Sequence, residues 1–183
     1  EYLEIAILAV DLRADAKGTR LMELVHRAIP YPVLLITSGS DAVSLSVAHK
    51  RHAQNEAGKV VVERVVEVKE IHPDHQSGVE SAFLNSFSLA NQPRQDLFSL
   101  YEGWLARIEA LTAARLSGKY AVSDEDNSIA RRRTALEAHS RLTREMAGLS
   151  AKGIREKQMN RRVDLNLEIQ RLETEIAAHK TNL

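Results

Sequence analysis

The chain has 183 residues, 44% of them hydrophobic and only 4% aromatic, which allows one domain with an extension or two small domains around an aliphatic core. Its 25 basic and 25 acidic residues cancel, which argues against a uniformly basic nucleic-acid binder. With no cysteine, disulfides, thiolate zinc sites and a Cys nucleophile are excluded, a composition that fits a reducing cytoplasm.

No apolar run approaches the roughly 18–20 residues of a membrane span, so no membrane partner is expected. The first residues also lack the basic-then-apolar layout of a secretory signal. The chain opens on EYLEI, with no Met and already inside an apolar run, which predicts a further segment before it. The charge is unevenly spread. From Ile129 onward there are 12 Lys and Arg against 7 Asp and Glu, a net +5, so the first 128 residues carry −5.

YLEIAILAVDL (residues 2–12) is rich in apolar residues and predicts a strand buried on both faces. ADAKGT breaks the chain, and RLMELVHRAI follows with Leu21, Leu24, Val25 and Ile29 at helical spacing, stopped by Pro30. PVLLIT, the turn SGSD and AVSLSVAHK predict a hairpin. In its second strand Val43, Leu45 and Val47 alternate with Ser44, Ser46 and Ala48, so one face is apolar and the other small and polar. HAQNEAGK is a loop, VVVERVVEVKEI the next strand of the meander, and HPDHQSG the end of the β-rich half.

VESAFLNSFSLA predicts a short helix broken at NQP. DLFSLYEGWLARIEALTAARL sets Leu97, Leu100, Tyr101, Trp104, Leu105, Ile108 and Leu111 on one broad helical stripe. SGKYAVSDEDNS is a polar linker ending in a helix N-cap. Beyond Ile129 no proline occurs, and Gly148 and Gly153 are the strong helix weakeners. Leu142, Met146 and Leu149 form one apolar patch there. Leu165, Ile169, Leu172 and Ile176 form a seam of about two heptads, short for a self-sufficient coiled coil.

This order predicts an α+β fold: a small, mostly antiparallel sheet (strand, helix, three strands) followed by a helical C-terminal half with a long terminal helix or helical hairpin. The expected divisions are a sheet domain over 1–76, a helical connection over 77–118, a linker over 119–128 and a basic long-helix segment over 129–183.

Three constellations bear on chemistry. Glu67-Val68-Lys69, with Asp41 or Asp11 as an upstream acid, has the pattern of a metal-dependent nuclease, in which carboxylates hold a divalent ion and the lysine polarises water or phosphate. The plainer reading is that Glu63, Glu67 and Lys69 line the wet side of a strand. His49-Lys50-Arg51-His52 closes a strand, with His72 and His75 in a nearby loop; it could ligate a metal or receive a phosphate, but polar residues at a strand end are commonly just solvated. No metal or other cofactor is expected, and neither a glycine-rich phosphate loop nor a nucleophile elbow occurs.

The third constellation is basic: Arg131, Arg132 and Arg133, then Arg155, Lys157, Arg161 and Arg162. These side chains could follow a phosphate backbone, although no aromatic group stands among them to stack on bases. The plainer reading is that they pair with acids along an exposed helix and keep it solvated, with an acidic protein surface as a further option. Beside them Gln158, Asn160 and Asn166 have no obvious use in a free helix. Asn in a seam sets register, so Gln158, Asn160, Val163, Leu165, Asn166, Ile169, Leu172 and Ile176 are read as a docking surface.

LVHRAIPYPVLLI with SLSVAHKR resembles the sheet of a bacterial family known as domain of unknown function 4391. REKQMNRRVDLNLEIQRLETEI is similar to that family's C-terminal signature, matched here at Lys157, Gln158, Asn160, Arg161, Arg162, Val163, Leu165 and Asn166, where the last helix begins. The resemblance implies members encoded beside a helicase or translocase and a site-specific DNA methyltransferase, in restriction-type defence islands, with an N-terminal segment before the first strand. It carries no catalytic residue. The expected function is therefore a non-enzymatic accessory subunit that binds such a helicase or methyltransferase, with self-association through the C-terminal helix and DNA contact as further options. The alternatives are nucleic-acid binding by the basic helix and a metal-dependent nuclease.

Overall fold

The structure, a computed structural model, describes residues 2–14, 16–39, 41–52, 60–72, 78–123 and 125–180. Its fold is α+β, a four-stranded sheet followed by a helical C-terminal half. The elements in chain order are β1 (Ala6–Asp11), α1 (Gly18–Ala28), β2 (Val33–Ser38), β3 (Val43–His52) and β4 (Val60–Ile71). There follow α2 (Gly78–Phe87), a 3-10 turn (Leu89–Asn91), α3 (Leu97–Ser117), α4 (Asp126–Arg155) and α5 (Met159–Lys180). Two compact units result: a sheet unit of residues 1–112 and 120–124, and a hairpin unit of residues 113–119 and 125–183.

In the sheet unit the strand order is β1-β2-β3-β4, parallel between β1 and β2 and antiparallel elsewhere. Helix α1 connects the parallel pair, as a crossover must. Alternation then assigns two faces. Leu34, Leu45, Val47 and Val68 pack with Phe83, Tyr101, Trp104 and Leu105 of α2 and α3. Val33 and Leu35 pack on the other face with Met22 of α1. The strand buried on both faces is thus β2, not β1. As the edge strand, β1 turns Ala6, Leu8 and Val10 toward α1 while Ile7 stays 57% exposed. Helix α1 also faces inward differently from expectation, with Met22 and His26 buried and Leu24 exposed.

Two register shifts adjust β4 against β3. The first pairs Val43 with Ile71 and Leu45 with Val68, so an extra residue of β4 is accommodated there. Glu70 takes φ 55° at this bulge, and the change of parity returns Ile71 to the core.

Helix α3 is capped by Asp96, whose Oδ1 accepts the Ser99 N–H at 2.7 Å; that bond holds its carboxyl below the usual range. Every residue from Gly103 to Leu111 is buried, so the stripe expected from the sequence widens to the whole helix. Gly103 is needed for close approach: a Cβ there would lie 2.7 Å from Pro93 Cδ and 2.8 Å from Gln92 Oε1. The segment after α3 is not merely a polar linker, since Tyr120 stacks edge-on against Phe83 and its hydroxyl lies 2.5 Å from Ser86 Oγ. At its end α4 begins after Glu125 with no side-chain cap.

In the hairpin unit the helical stretch breaks at Glu156-Lys157-Gln158, and α5 packs along α4. The helices run antiparallel: one cleft joins Lys152 and Arg155 to Arg161 and Leu165, another joins Asn127 and Arg131 to His179. Leu142 of α4 and Leu172 of α5 are the buried apolar residues of the helix pair, with Met146, Leu149, Leu165, Ile169 and Ile176 half-buried. Among the described residues no helix is long and apolar enough to cross a membrane.

Candidate functional site

The sheet unit keeps Glu67 beside Lys69 but sends the residues at the end of β3 to separate partners. Lys69 pairs with Glu67 at 3.2 Å and reaches across to Thr19 Oγ1 at 2.9 Å. Asp41 receives His72 through its backbone oxygen at 3.1 Å. Among the described residues no three His, Asp or Glu side chains gather to hold a metal ion. In the cluster at the end of β3, alternation sends neighbours to different partners. His49 Nδ1 lies 3.3 Å from Glu102, Arg51 pairs with Glu63 at 2.5 Å, and Lys50 donates to the carbonyls of Ile29 and Tyr31 at 2.8 and 2.7 Å. The side chains of His52 and His75 lie outside the described residues.

Burial lowers Lys50 to about 8 although two carbonyls accept its protons. It borders an open cleft of about 430 Å3 whose other walls include Leu3, Tyr31, Val60 and Phe98. Leu3 is 90% and Phe98 50% exposed there. The sequence shows these residues, but only the fold brings the segments before β1 and β2, the end of β3 and the starts of β4 and α3 to one place.

Buried polar groups in this unit are structural. Tyr101 accepts the Ala48 N–H at 2.8 Å and donates to the Val33 carbonyl at 2.9 Å, tying β2 to β3 from α3. Arg107, 4% exposed, donates to the carbonyls of Ser86, Asn91 and Gly103. Glu109 pairs with Arg64. His26 meets Ser46 Oγ at 2.9 Å, and burial, with the nearby Lys50 charge, pushes it down to about 4.

The hairpin unit sorts the expected docking and basic residues by helix face. Leu165, Ile169, Leu172 and Ile176 turn toward α4, so the apolar seam is covered within the chain itself. Asn160, Val163 and Asn166 are exposed on other sides of α5, and Gln158 lies in the turn, where its N–H reaches Glu156 Oε1 at 2.9 Å. Met159 and Leu167, not expected from the sequence as surface residues, are 70% and 60% exposed. The four-residue steps from Met159 to Val163 to Leu167 could have found them.

The basic residues form two groups and not one. Arg155, Lys157, Arg161 and Arg162 are exposed around the turn, where Lys152, Arg155 and Arg161 line an open cleft of about 500 Å3 with Glu156 and Asp164. Arg131, Arg132 and Arg133 lie at the other end of α4, roughly 35 Å away at 1.5 Å per residue. Arg131 is exposed, whereas Arg132 and Arg133 are half-buried.

The molecule is thus an α+β sheet unit joined in sequence to an antiparallel helical hairpin, with exposed apolar side chains on each. The chain belongs to the family described as Domain of unknown function (DUF4391), whose model matches residues 1–176. No curated protein and no solved structure matches it.

Proposed function

We propose that the protein is a non-enzymatic accessory subunit of a bacterial restriction-type defence complex, docking a helicase or translocase, or a DNA methyltransferase. The observation that carries this reading is the outer side of α5, where Met159, Val163 and Leu167 stand exposed although the inner seam is already covered by α4. An apolar surface that its own fold leaves open is the kind that a second protein covers. The exposed Leu3 and Phe98 of the sheet unit supply a second, separate surface of the same kind. The family resemblance supplies the choice of partners. Co-expression with the neighbouring helicase and methyltransferase should retain one of them through affinity purification. A chain that elutes without either at micromolar concentration sinks the proposal.

A second reading has its own support in the cations gathered at the hairpin turn. If Arg155, Lys157, Arg161 and Arg162 each hold a phosphate, neutralising all four weakens nucleic-acid binding and reduces its salt slope by about one unit per phosphate released. Binding unchanged in the quadruple variant rejects it.

A further inference from the structure

Along α5 the positions Asn160, Val163, Leu167, Gln170, Thr174 and Ala177 step by three, four, three, four and three residues. That spacing draws one stripe along a helix, opposite the stripe Leu165, Ile169, Leu172 and Ile176 that meets α4. All six residues are exposed. None carries a charge: all eight Asp, Glu, Lys and Arg residues of α5 fall outside both stripes. A helix face that meets only water has no reason to exclude charge so completely. On α4, by contrast, the exposed positions include Arg141, Arg144, Lys152 and Arg155.

The charges bordering the outer stripe identify what covers it. Asp164 and Arg171 stand on one border; Asn166 and Glu173 stand on the other, with Arg162 a step further out. We infer that α5 pairs antiparallel with α5 of a second copy of this chain, outer stripe to outer stripe. In that register Asn160 meets Ala177 of the second copy, Val163 meets Thr174, and Leu167 meets Gln170. The same register sets Asp164 beside Arg171 of the second copy, and Glu173 between Arg162 and Asn166 of the second copy. Two-fold symmetry makes each contact twice. Parallel pairing would set Asp164 beside Met159 and Glu173 beside Ala178, leaving the flanking charges unmatched. Asn160 and Gln170 within the stripe select the register at a cost in affinity, so the dimer is a micromolar one. This inference rests on the reading of the outer face as a docking surface but gives that face to a second copy, which leaves the exposed Leu3 and Phe98 surface of the sheet unit for the helicase or methyltransferase.

The absence of cysteine makes a clean test possible. Full-length Val163→Cys and Thr174→Cys variants, mixed and oxidised, should give a disulfide-linked heterodimer. Either alone should stay unlinked, because the two copies of position 163 lie roughly 16 Å apart along the axis at 1.5 Å per residue. In sedimentation, Leu167→Glu should weaken the dimer at least about tenfold while the helical signal is kept. Arg171→Asp should loosen it as well, and Asp164→Arg added to that variant should restore it. Three results would each overturn the inference: a wild-type chain monomeric at about a hundredfold the micromolar range, self-linking of Val163→Cys alone, or indifference to Leu167→Glu. A monomer that still retains helicase or methyltransferase, and loses it in Leu167→Glu, rejects self-pairing and keeps the accessory-subunit reading. A dimer that retains neither supports self-pairing and rejects the other.

Discussion

Helices α3 and α5 are nearly equal in length, 21 and 22 residues, and they bury themselves in opposite ways. From Gly103 to Leu111 α3 is buried all round, even at Arg107 and Glu109, whose partners lie on the sheet and on the segments around α2. Helix α5 has Leu172 as its buried residue and keeps all its charges in water. A helix at the centre of a core tolerates charge only where the fold supplies hydrogen bonds to it. A helix in a two-member hairpin can cover one stripe and must present the rest. The difference leaves the hairpin helix with most of its surface open and the sheet unit with the central core.

The strongest way to break this contrast is truncation within α3. Leu105→Ala, at a fully buried position, should cost about 2–5 kcal/mol. The change can be followed by urea unfolding through the fluorescence of Trp104, the one tryptophan of the chain. If the loss is below about 1 kcal/mol, α3 is not the core helix described above. Gly103→Ala should also destabilise, by about 1–3 kcal/mol, because Pro93 and Gln92 leave no room for the methyl group. On intrinsic helix propensity alone the same change would stabilise by up to about 1 kcal/mol, so the sign of the effect is decisive.

Acid sharpens the contrast next. His26 is held neutral in the folded state down to about 4, below its unfolded value of 6.5. The unfolded chain therefore binds the extra proton first, and stability falls as pH drops from 6.5 toward 4. Between pH 7 and 5 this group should remove on the order of 1–2 kcal/mol. Denaturation curves at the two pH values should draw together in His26→Gln; an undiminished difference would assign the acid sensitivity elsewhere. The smallest effect belongs to the surface. Lys69→Ala breaks a half-exposed pair with Glu67 and should change stability by less than about 1 kcal/mol. A larger loss would mean that the contact with Thr19 anchors α1 to β4.

Local periodicity carried much of the architecture into the sequence. The alternation of Val43, Leu45 and Val47 announces β3, and the four-three-four seam from Leu165 announces the inner face of α5, because each pattern is set by one element's own repeat. The charges confined to the borders of α5 are legible for the same reason. What stayed hidden depends on partners distant in the chain. The apolar run of residues 2–12 reads as a doubly covered strand, yet only sheet order makes β1 an edge and β2 the strand enclosed on both sides. Similarly, the cluster at His49–Arg51 looks like one site until alternation and three separate partners pull it apart. Arg107 and Glu109 look like solvated positions on α3, and only tertiary packing buries them against carbonyls and Arg64. By itself, then, the sequence determined the elements, the apolar faces of β3 and α5, and the charge borders of α5. Tertiary structure decided which faces are covered, because burial depends on elements that meet from far along the chain, and no local pattern records them.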